Sequence, residues 1–480
     1  MKRRTAPAAL VTTGVVTAAL LLGACGDTGG RDAKQLPSPS PTPSGSPGEL
    51  RQGPERPPAG KASAKPRTGD LNGDGFDDLA VQGAGHIAVV YGSADGPRVR
   101  TRATVRMPDT KDPSGIPPAI RLERADLDHD GFTDLLATLT DGRQYALWGG
   151  ARGVSGPRLL DTGYSVVSGK ETSHWTAGAV GDVDGDGSGD VFQFGAEKGP
   201  AGTVHYGPFD RRTGEPARRQ PLEAKRSADS EPYQVTAGDF DGDGRDDLTV
   251  RFRWTDPENE GDGDTAVTDV LHFRGGARKA TLARRYDRAA TPSGIACDVD
   301  GDGTDEMCRV SFASYEQELA LGIARGSDGG PGTRASTTVT FRDLPRLKGP
   351  DTPSYGGVAG RTVGDVTGDG KPDLVLGATG ANDNQGLLFV LPDLAHATSG
   401  SPLQAFDLDS PGVVGENKPH ARNRFRPRPP LLDVNGDGRL DVVATAQYDS
   451  ARLWVLPGAD SGLDARGTWH FTLKDLGIRP

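Results

Sequence analysis

A nine-residue pattern of acids and glycines occurs seven times along this chain, and it limits the possible folds more than any other feature. The copies begin at Asp70 (DLNGDGFDD), Asp126 (DLDHDGFTD), Asp182 (DVDGDGSGD), Asp239 (DFDGDGRDD), Asp298 (DVDGDGTDE), Asp365 (DVTGDGKPD) and Asp433 (DVNGDGRLD). Successive starts lie 56, 56, 57, 59, 67 and 68 residues apart. A period of that size marks a repeated supersecondary unit that buries its apolar faces only against its neighbours.

In each copy, side-chain oxygens fall at positions 1, 3, 5 and 9. Oxygens spaced in this way converge on one point only if the backbone curls tightly, and glycine permits that curl. A hard cation such as Ca²⁺ takes six to eight oxygens at about 2.3–2.6 Å. The candidate ligands are Asp70, Asn72, Asp74 and Asp78; Asp126, Asp128, Asp130 and Asp134; Asp182, Asp184, Asp186 and Asp190; Asp239, Asp241, Asp243 and Asp247; Asp298, Asp300, Asp302 and Glu306; Asp365, Thr367, Asp369 and Asp373; Asp433, Asn435, Asp437 and Asp441. The position-7 carbonyls of Phe76, Phe132, Ser188, Arg245, Thr304, Lys371 and Arg439 are expected to add a ligand each. Up to seven Ca²⁺ ions follow.

Charge supports the cation. Acids at these positions number 25, three in each of the first, sixth and seventh copies and four in the others. The chain carries −11, and residues 1–24 contribute +3 with no acid, so the remainder carries −14. Seven dications would cancel it. Clustered carboxylates resist ionisation unless a cation is near, so metal affinity becomes folding stability. Carboxylate count alone predicts weaker binding where position 3 is Asn72, Thr367 or Asn435. Glu306, one methylene longer than Asp, alters the geometry of the fifth loop.

Other readings of the loop fare worse. An EF-hand needs an acid at position 12 and flanking helices, but position 12 is Val81, Ala137, Gln193, Val250, Arg309, Leu376 or Ala444. Dockerin-type repeats need a following helix and about half this period. Plain Asp/Gly turns without metal would leave strongly repelling clusters. Gly261-Asp262-Gly263-Asp264 lacks the third and fourth ligands and reads as a long turn.

Around each loop, short β-rich runs are bounded by Gly, Asp and Pro. Tyr233–Ala237 precedes a loop, Leu248-Thr249-Val250 follows it, Val270–Phe273 comes next, and the more polar Ala280–Ala283 closes the copy. Four strands make one propeller blade. No helical periodicity is sustained. The chain is therefore expected to be all-β, a seven-bladed β-propeller over residues 65–480 with about four antiparallel strands per blade, the loops joining strands one and two. Gly467–Leu473 supplies the last strand of blade seven. The lead-in to blade one, Lys65–Gly69, is short, which leaves the seam of the ring open.

The sixth copy, Gly364-Asp365-Val366-Thr367-Gly368-Asp369-Gly370-Lys371-Pro372-Asp373-Leu374-Val375-Leu376-Gly377-Ala378-Thr379-Gly380, carries a family signature. It resembles the FG-GAP repeat of integrin alpha-chain propellers and the related VCBS-type repeats of bacterial surface proteins. The resemblance implies calcium loops on one face of the ring and ligands on the opposite face.

The N-terminus reads as an address. Lys2, Arg3 and Arg4 precede an apolar run to Ala24, and Leu22-Gly23-Ala24-Cys25 resembles a bacterial lipobox with Cys25 as the lipidated residue. Residues 1–24 are thus a lipoprotein signal peptide, the alternative being an ordinary secretory signal. Residues 25–64, with PSPSPTPS at 37–44, read as a disordered Pro/Ser-rich linker that buries nothing. The expected location is the extracytoplasmic face of a membrane. Cys297 and Cys308 bracket the fifth loop on neighbouring strands and are expected to form a disulfide, which an exported protein permits.

Catalytic signals are weak. No GxSxG, HExxH or P-loop occurs. His86, His205 and His272 fall in strands and His129 in a loop, none beside a nucleophile motif. The basic run Lys418–Arg428 reads as a solvated loop, with polyanion binding as its alternative, and no nucleic-acid partner is expected. Trp175, Trp254 and Tyr355 are equally core or stacking residues. The leading expectation is a non-enzymatic binding, adhesion or scaffold module for protein or glycan. Its alternatives are a carbohydrate-active lyase or hydrolase with a site at the channel mouth, and a purely structural envelope protein.

Overall fold

The computed structural model describes residues 48–108, 120–139, 142–162, 178–194, 200–224, 230–254, 266–286, 294–313, 318–334, 336–347, 358–378, 381–384, 386–414, 425–446 and 452–478. The signal peptide, Cys25, most of the linker, Trp175, Tyr355 and residues 418–424 of the basic run lie outside them. Among the described residues, no helix is long and apolar enough to cross a membrane.

Seven four-stranded antiparallel sheets follow one another around a ring. Blade four is representative: Glu231–Gly238, Asp247–Trp254, Ala266–Arg274 and Thr281–Tyr286 pair in sequence order. The second and third strands of a blade are covered on both faces by the neighbouring blades, and in blade six they are nearly all apolar. Leu387–Leu391 in blade six is buried throughout. Outer strands face water and read accordingly, as with the exposed Thr281–Arg285. Apolar clusters fill six of the seven blade junctions. At the junction of blades four and five, Phe240 packs edge-on against His272, which is fully buried and bonded to Asp247 at 2.9 Å.

Blade one departs from the expected plan. Its sheet runs Leu79–Gly83, His86–Val90, Arg102–Arg106 and then Leu50–Gln52 on the outside. The lead-in at 65–69 forms no strand. Instead the Arg124 guanidinium, from the inner strand of blade two, donates to the carbonyls of Gly69 and Asp78 at 2.8 and 2.7 Å. Burial draws its pKa down to about 10. A three-residue strand from the region read as linker thus completes the first sheet, because the outer edge of Arg102–Arg106 has ladder groups to satisfy. The chain then crosses the loop face, where Lys61 donates to Gly73 and Ser63 to Gly131, both at 2.8 Å. The linker reading therefore needs correcting for residues 48–64.

Blade seven ends as expected, with Trp469–Thr472 pairing Arg452–Leu456. The basic run is corrected in part. Phe425–Leu432 is the innermost strand of blade seven, with Phe425 fully buried. Pro427 fits there because an innermost strand has one edge free of ladder bonds. Cys297 and Cys308 are joined in a disulfide with Cα atoms 6.7 Å apart.

A chain beginning at residue 65 lacks Leu50–Gln52 and the crossing segment. It is expected to melt a few degrees below one beginning at residue 48, as read by thermal denaturation.

Candidate metal centres

Each loop is built by its own carboxylates. Position 1 collects the amides of positions 4 to 6: in the third loop Asp182 accepts from Gly185, Asp186 and Gly187 at 2.8, 3.0 and 2.9 Å. The position-5 carboxylate accepts the position-7 amide in all seven copies, at 2.8 to 3.1 Å. Positions 4 and 6 adopt left-handed φ. His129 takes that conformation at φ 61 in the second loop, where the others have glycine.

Position 9 does something the spacing did not reveal. Asp78, Asp134, Asp190, Asp373 and Asp441 are buried, and each accepts at least two amides, Asp373 taking a third from Thr367 at 2.9 Å. One oxygen takes the position-2 N–H of the same loop, at 2.9–3.0 Å. The other takes an N–H just beyond the third strand, from Gly92, Gly149, Gly207, Asp393 or Gly458, at 2.6–3.0 Å. The carboxylate therefore ties the loop to the third strand. Asp247 varies this, accepting from Gly275 at 2.8 Å and bonding His272 with its other oxygen. Glu306 meets only the Val299 amide, and its second oxygen is buried without a partner. Its seven-fold acidity was the only sequence signal for this role.

Position 8 was not singled out, yet it links neighbouring loops. Its N–H donates to the position-1 carbonyl of the preceding blade: Gly189 to Asp126, Asp246 to Asp182, Asp305 to Asp239, Leu440 to Asp365 and Asp77 to Asp433, at 2.6–3.0 Å. Where position 8 is Asp, its carboxylate also accepts the position-1 N–H, so Asp77, Asp246 and Asp305 clasp Asp433, Asp182 and Asp239 at 2.8, 2.7 and 2.9 Å. The Asp77–Asp433 clasp closes the ring between blades one and seven, and Arg67 lies on both acids at 3.2 and 3.1 Å. Pro372 lacks the N–H at this position.

The carboxylates converge in four loops: Asp126, Asp128 and Asp134; Asp182, Asp184 and Asp190; Asp239, Asp241 and Asp243; Asp298, Asp300 and Asp302 each bring an oxygen within 4.8 Å of the others. In the first, sixth and seventh loops, Asn72, Thr367 and Asn435 bond neighbouring acids instead, with Asn72 on Asp74 at 3.0 Å, Thr367 on Asp365 at 3.3 Å and Asn435 on Asp437 at 3.1 Å. Burial is the main force raising the carboxyl pKa values, reinforced by neighbouring acids. Asp134 and Asp190 are pushed up to about 8, Asp441 and Asp305 to about 7 and Asp246 to about 6. Asp74, Asp130 and Asp241 move up for the same reasons. Asp128 Oδ1 and Asp184 Oδ1 are buried without a hydrogen-bond partner. This all-oxygen, multiply acidic donor set, with buried oxygens to spare, fits a hard dication.

Residues 362–391 match the family model described as FG-GAP repeat. No curated protein matches the chain. Among solved structures, a lectin from Agrocybe aegerita, described as recognising non-reducing terminal N-acetylglucosamine, is similar at 14% identity and TM-score 0.44, over 85% of this chain and 96% of the lectin. AofleA from Arthrobotrys oligospora is similar at 10% identity and TM-score 0.38, over 87% and 94%. The V. cholerae biofilm matrix protein Bap1 is similar at 14% identity and TM-score 0.26, over 84% and 69%. At these levels, neither sugar recognition nor matrix assembly follows for this chain. The molecule is a seven-bladed propeller with an FG-GAP repeat.

Two results are expected. In chelator, Asp190→Ala strands two buried amides and lowers unfolding free energy by about 2–4 kcal/mol. Asp184→Asn changes little in chelator but reduces the stabilisation added by calcium, as read by denaturant unfolding in both media. The second concerns pH. The folded-state pKa values of Asp134, Asp190 and Asp441 lie above the unfolded value of about 3.9, so their contribution is present at low pH and lost as pH rises through about 7–8. The Tm in chelator should fall between pH 5.5 and 8.5, and the rise produced by calcium should grow over the same range.

Proposed function

We propose that this propeller is a calcium-braced, extracytoplasmic binding module for a protein or glycan, tethered to a membrane through lipid on Cys25. The observation that carries the binding reading is the division of labour between its faces. The loop face is occupied by its own bonding: loop to loop through position 8, loop to third strand through position 9, and residues 60–63 across the first two loops. Strand direction puts the end of each fourth strand on the opposite face, because that strand runs away from the loops. The longest stretches between successive sheets, 160–178, 342–357 and 407–424, start and end at strands there. Long connections are where recognition residues concentrate. The lipobox-like Leu22–Cys25 and the Pro/Ser-rich stretch support the tether. The absence of a nucleophile, zinc or phosphate motif from the sequence favours binding over catalysis.

The test is a glycan-array and surface-protein capture with a soluble chain beginning at residue 48, run in calcium and in chelator. Calcium-dependent capture that is lost when 160–178 or 407–424 is replaced supports the reading. Capture that ignores chelator and persists with residues 25–47 alone overturns it. Chelator should also lower the Tm, and an unchanged Tm would show that the loops carry no structural cation.

A further inference from the structure

We propose that Arg211, Arg218, Arg274 and Arg325 are built-in counter-charges to the position-3 carboxylates of blades two to five, and that they set how tightly those four loops hold a cation. The inference rests on reading the loops as cation sites. Position 3 is acidic in four loops, and in each a guanidinium lies on it: Arg211 on Asp128, Arg218 on Asp184, Arg274 on Asp241 and Arg325 on Asp300. Where position 3 is Asn72, Thr367 or Asn435, no cationic side chain bonds that side chain among the described residues. Arg439 touches only the backbone carbonyl of Thr367.

The four pairs are reached by different routes to one place. That place is the residue ending or directly following the third strand, which lies opposite position 3. In blades four and five it is itself arginine, Arg274 and Arg325. In blades two and three it is aromatic, and an arginine from elsewhere lies on the ring. The Arg211 guanidinium is 5.6 Å from the Trp148 centroid, and that of Arg218 is 3.2 Å from the Tyr206 centroid. In the three blades without an acid at position 3, the residue is Tyr91, Pro392 or Pro457. Other cations on loop acids, including Arg245 on Asp243 and Arg334 on Asp302, follow no such rule.

The geometry leaves room for a cation. Asp128 and Asp184 have side chains 5% and 9% exposed, give Oδ2 to arginine, and keep Oδ1 buried and unpartnered beside the other loop acids. The guanidinium relieves repulsion in an empty loop and opposes a dication in a filled one. Counted at position 3, where the three-acid loops have neither acid nor arginine, one guanidinium leaves each four-acid loop with the acid charge of the three-acid loops. Carboxylate count therefore does not rank the seven sites: blades two to five bind no more tightly than blades one, six and seven.

The test uses the full chain, with calcium titrated by calorimetry and Tm measured in chelator and in calcium. Arg274→Gln keeps a donor and removes the charge. It is expected to tighten one site about five- to tenfold, lower the Tm in chelator, and enlarge the rise in Tm on adding calcium. Arg274→Lys should stay near wild type. Asp241→Asn combined with Arg274→Gln recreates the Asn-containing loops and should return within about threefold of wild-type affinity. Arg325→Gln repeats the measurement in blade five if the first variant does not fold. Unchanged or weakened binding in both Gln variants overturns the proposal and makes the arginines positioning residues. Wild-type protein that takes up no calcium defeats the underlying reading of the loops, a result distinct from any variant effect.

Discussion

Buried carboxylates that accept backbone amides hold this ring together. An Asp at position 9 meets amides from two separate segments, its own loop and the end of the third strand, in five of the seven blades. Such a contact fixes the hairpin and the loop in one geometry. It also places ionisable oxygens where water cannot reach them, which is why several of these groups are pushed toward neutral pH. The scaffold thus carries an electrostatic strain that protons, arginines or a dication can relieve.

The ring closes without a shared strand between its ends. Blade seven receives its outer strand from the C-terminal side, and blade one takes its outer strand from Leu50–Gln52. The junction between them relies on side chains: Phe471, Leu473, Leu476 and Ile478 pack with Leu79 and Val90, while Asp77, Asp433 and Arg67 bond across the loop face. Arg124 occupies the place where blade one has no inner strand, offering donors in a form that burial tolerates only because two carbonyls accept them. The cost of the missing strand is met by one guanidinium and a crossing segment.

The two faces of the disk differ in what they leave free. On the loop face, positions 8 and 9 and the crossing segment commit backbone groups to one another. The fourth strands end on the other face, where the links to the next sheets begin, and the proposed binding role rests on that division. The position-3 arginines belong to the loop face, where each lies on an acid.

The repeat, the strand count and the loop chemistry were legible in the sequence because each is local. Acids at fixed spacing, glycines where φ turns positive and apolar runs of strand length need no distant partner to be recognised. Residues 48–64 read as free linker in the sequence because Leu50–Gln52, with one apolar residue in three, pairs only with an edge that another part of the chain creates. Phe425–Arg428, the end of the basic run, reads as loop in the sequence because its arginines and proline hide part of a strand whose inner edge carries no ladder. The convergence of carboxylates in four loops follows the acid spacing. The arginines beside them were not legible, because Arg211 and Arg218 arrive at Asp128 and Asp184 from positions remote in sequence. The sequence by itself determined seven acidic loops and the sheets they punctuate, since those follow from short-range sterics and periodicity. Only the tertiary structure decided which strand completes the first sheet, which carboxylates hold amides and which meet arginine, because those outcomes depend on groups brought together by closure of the ring.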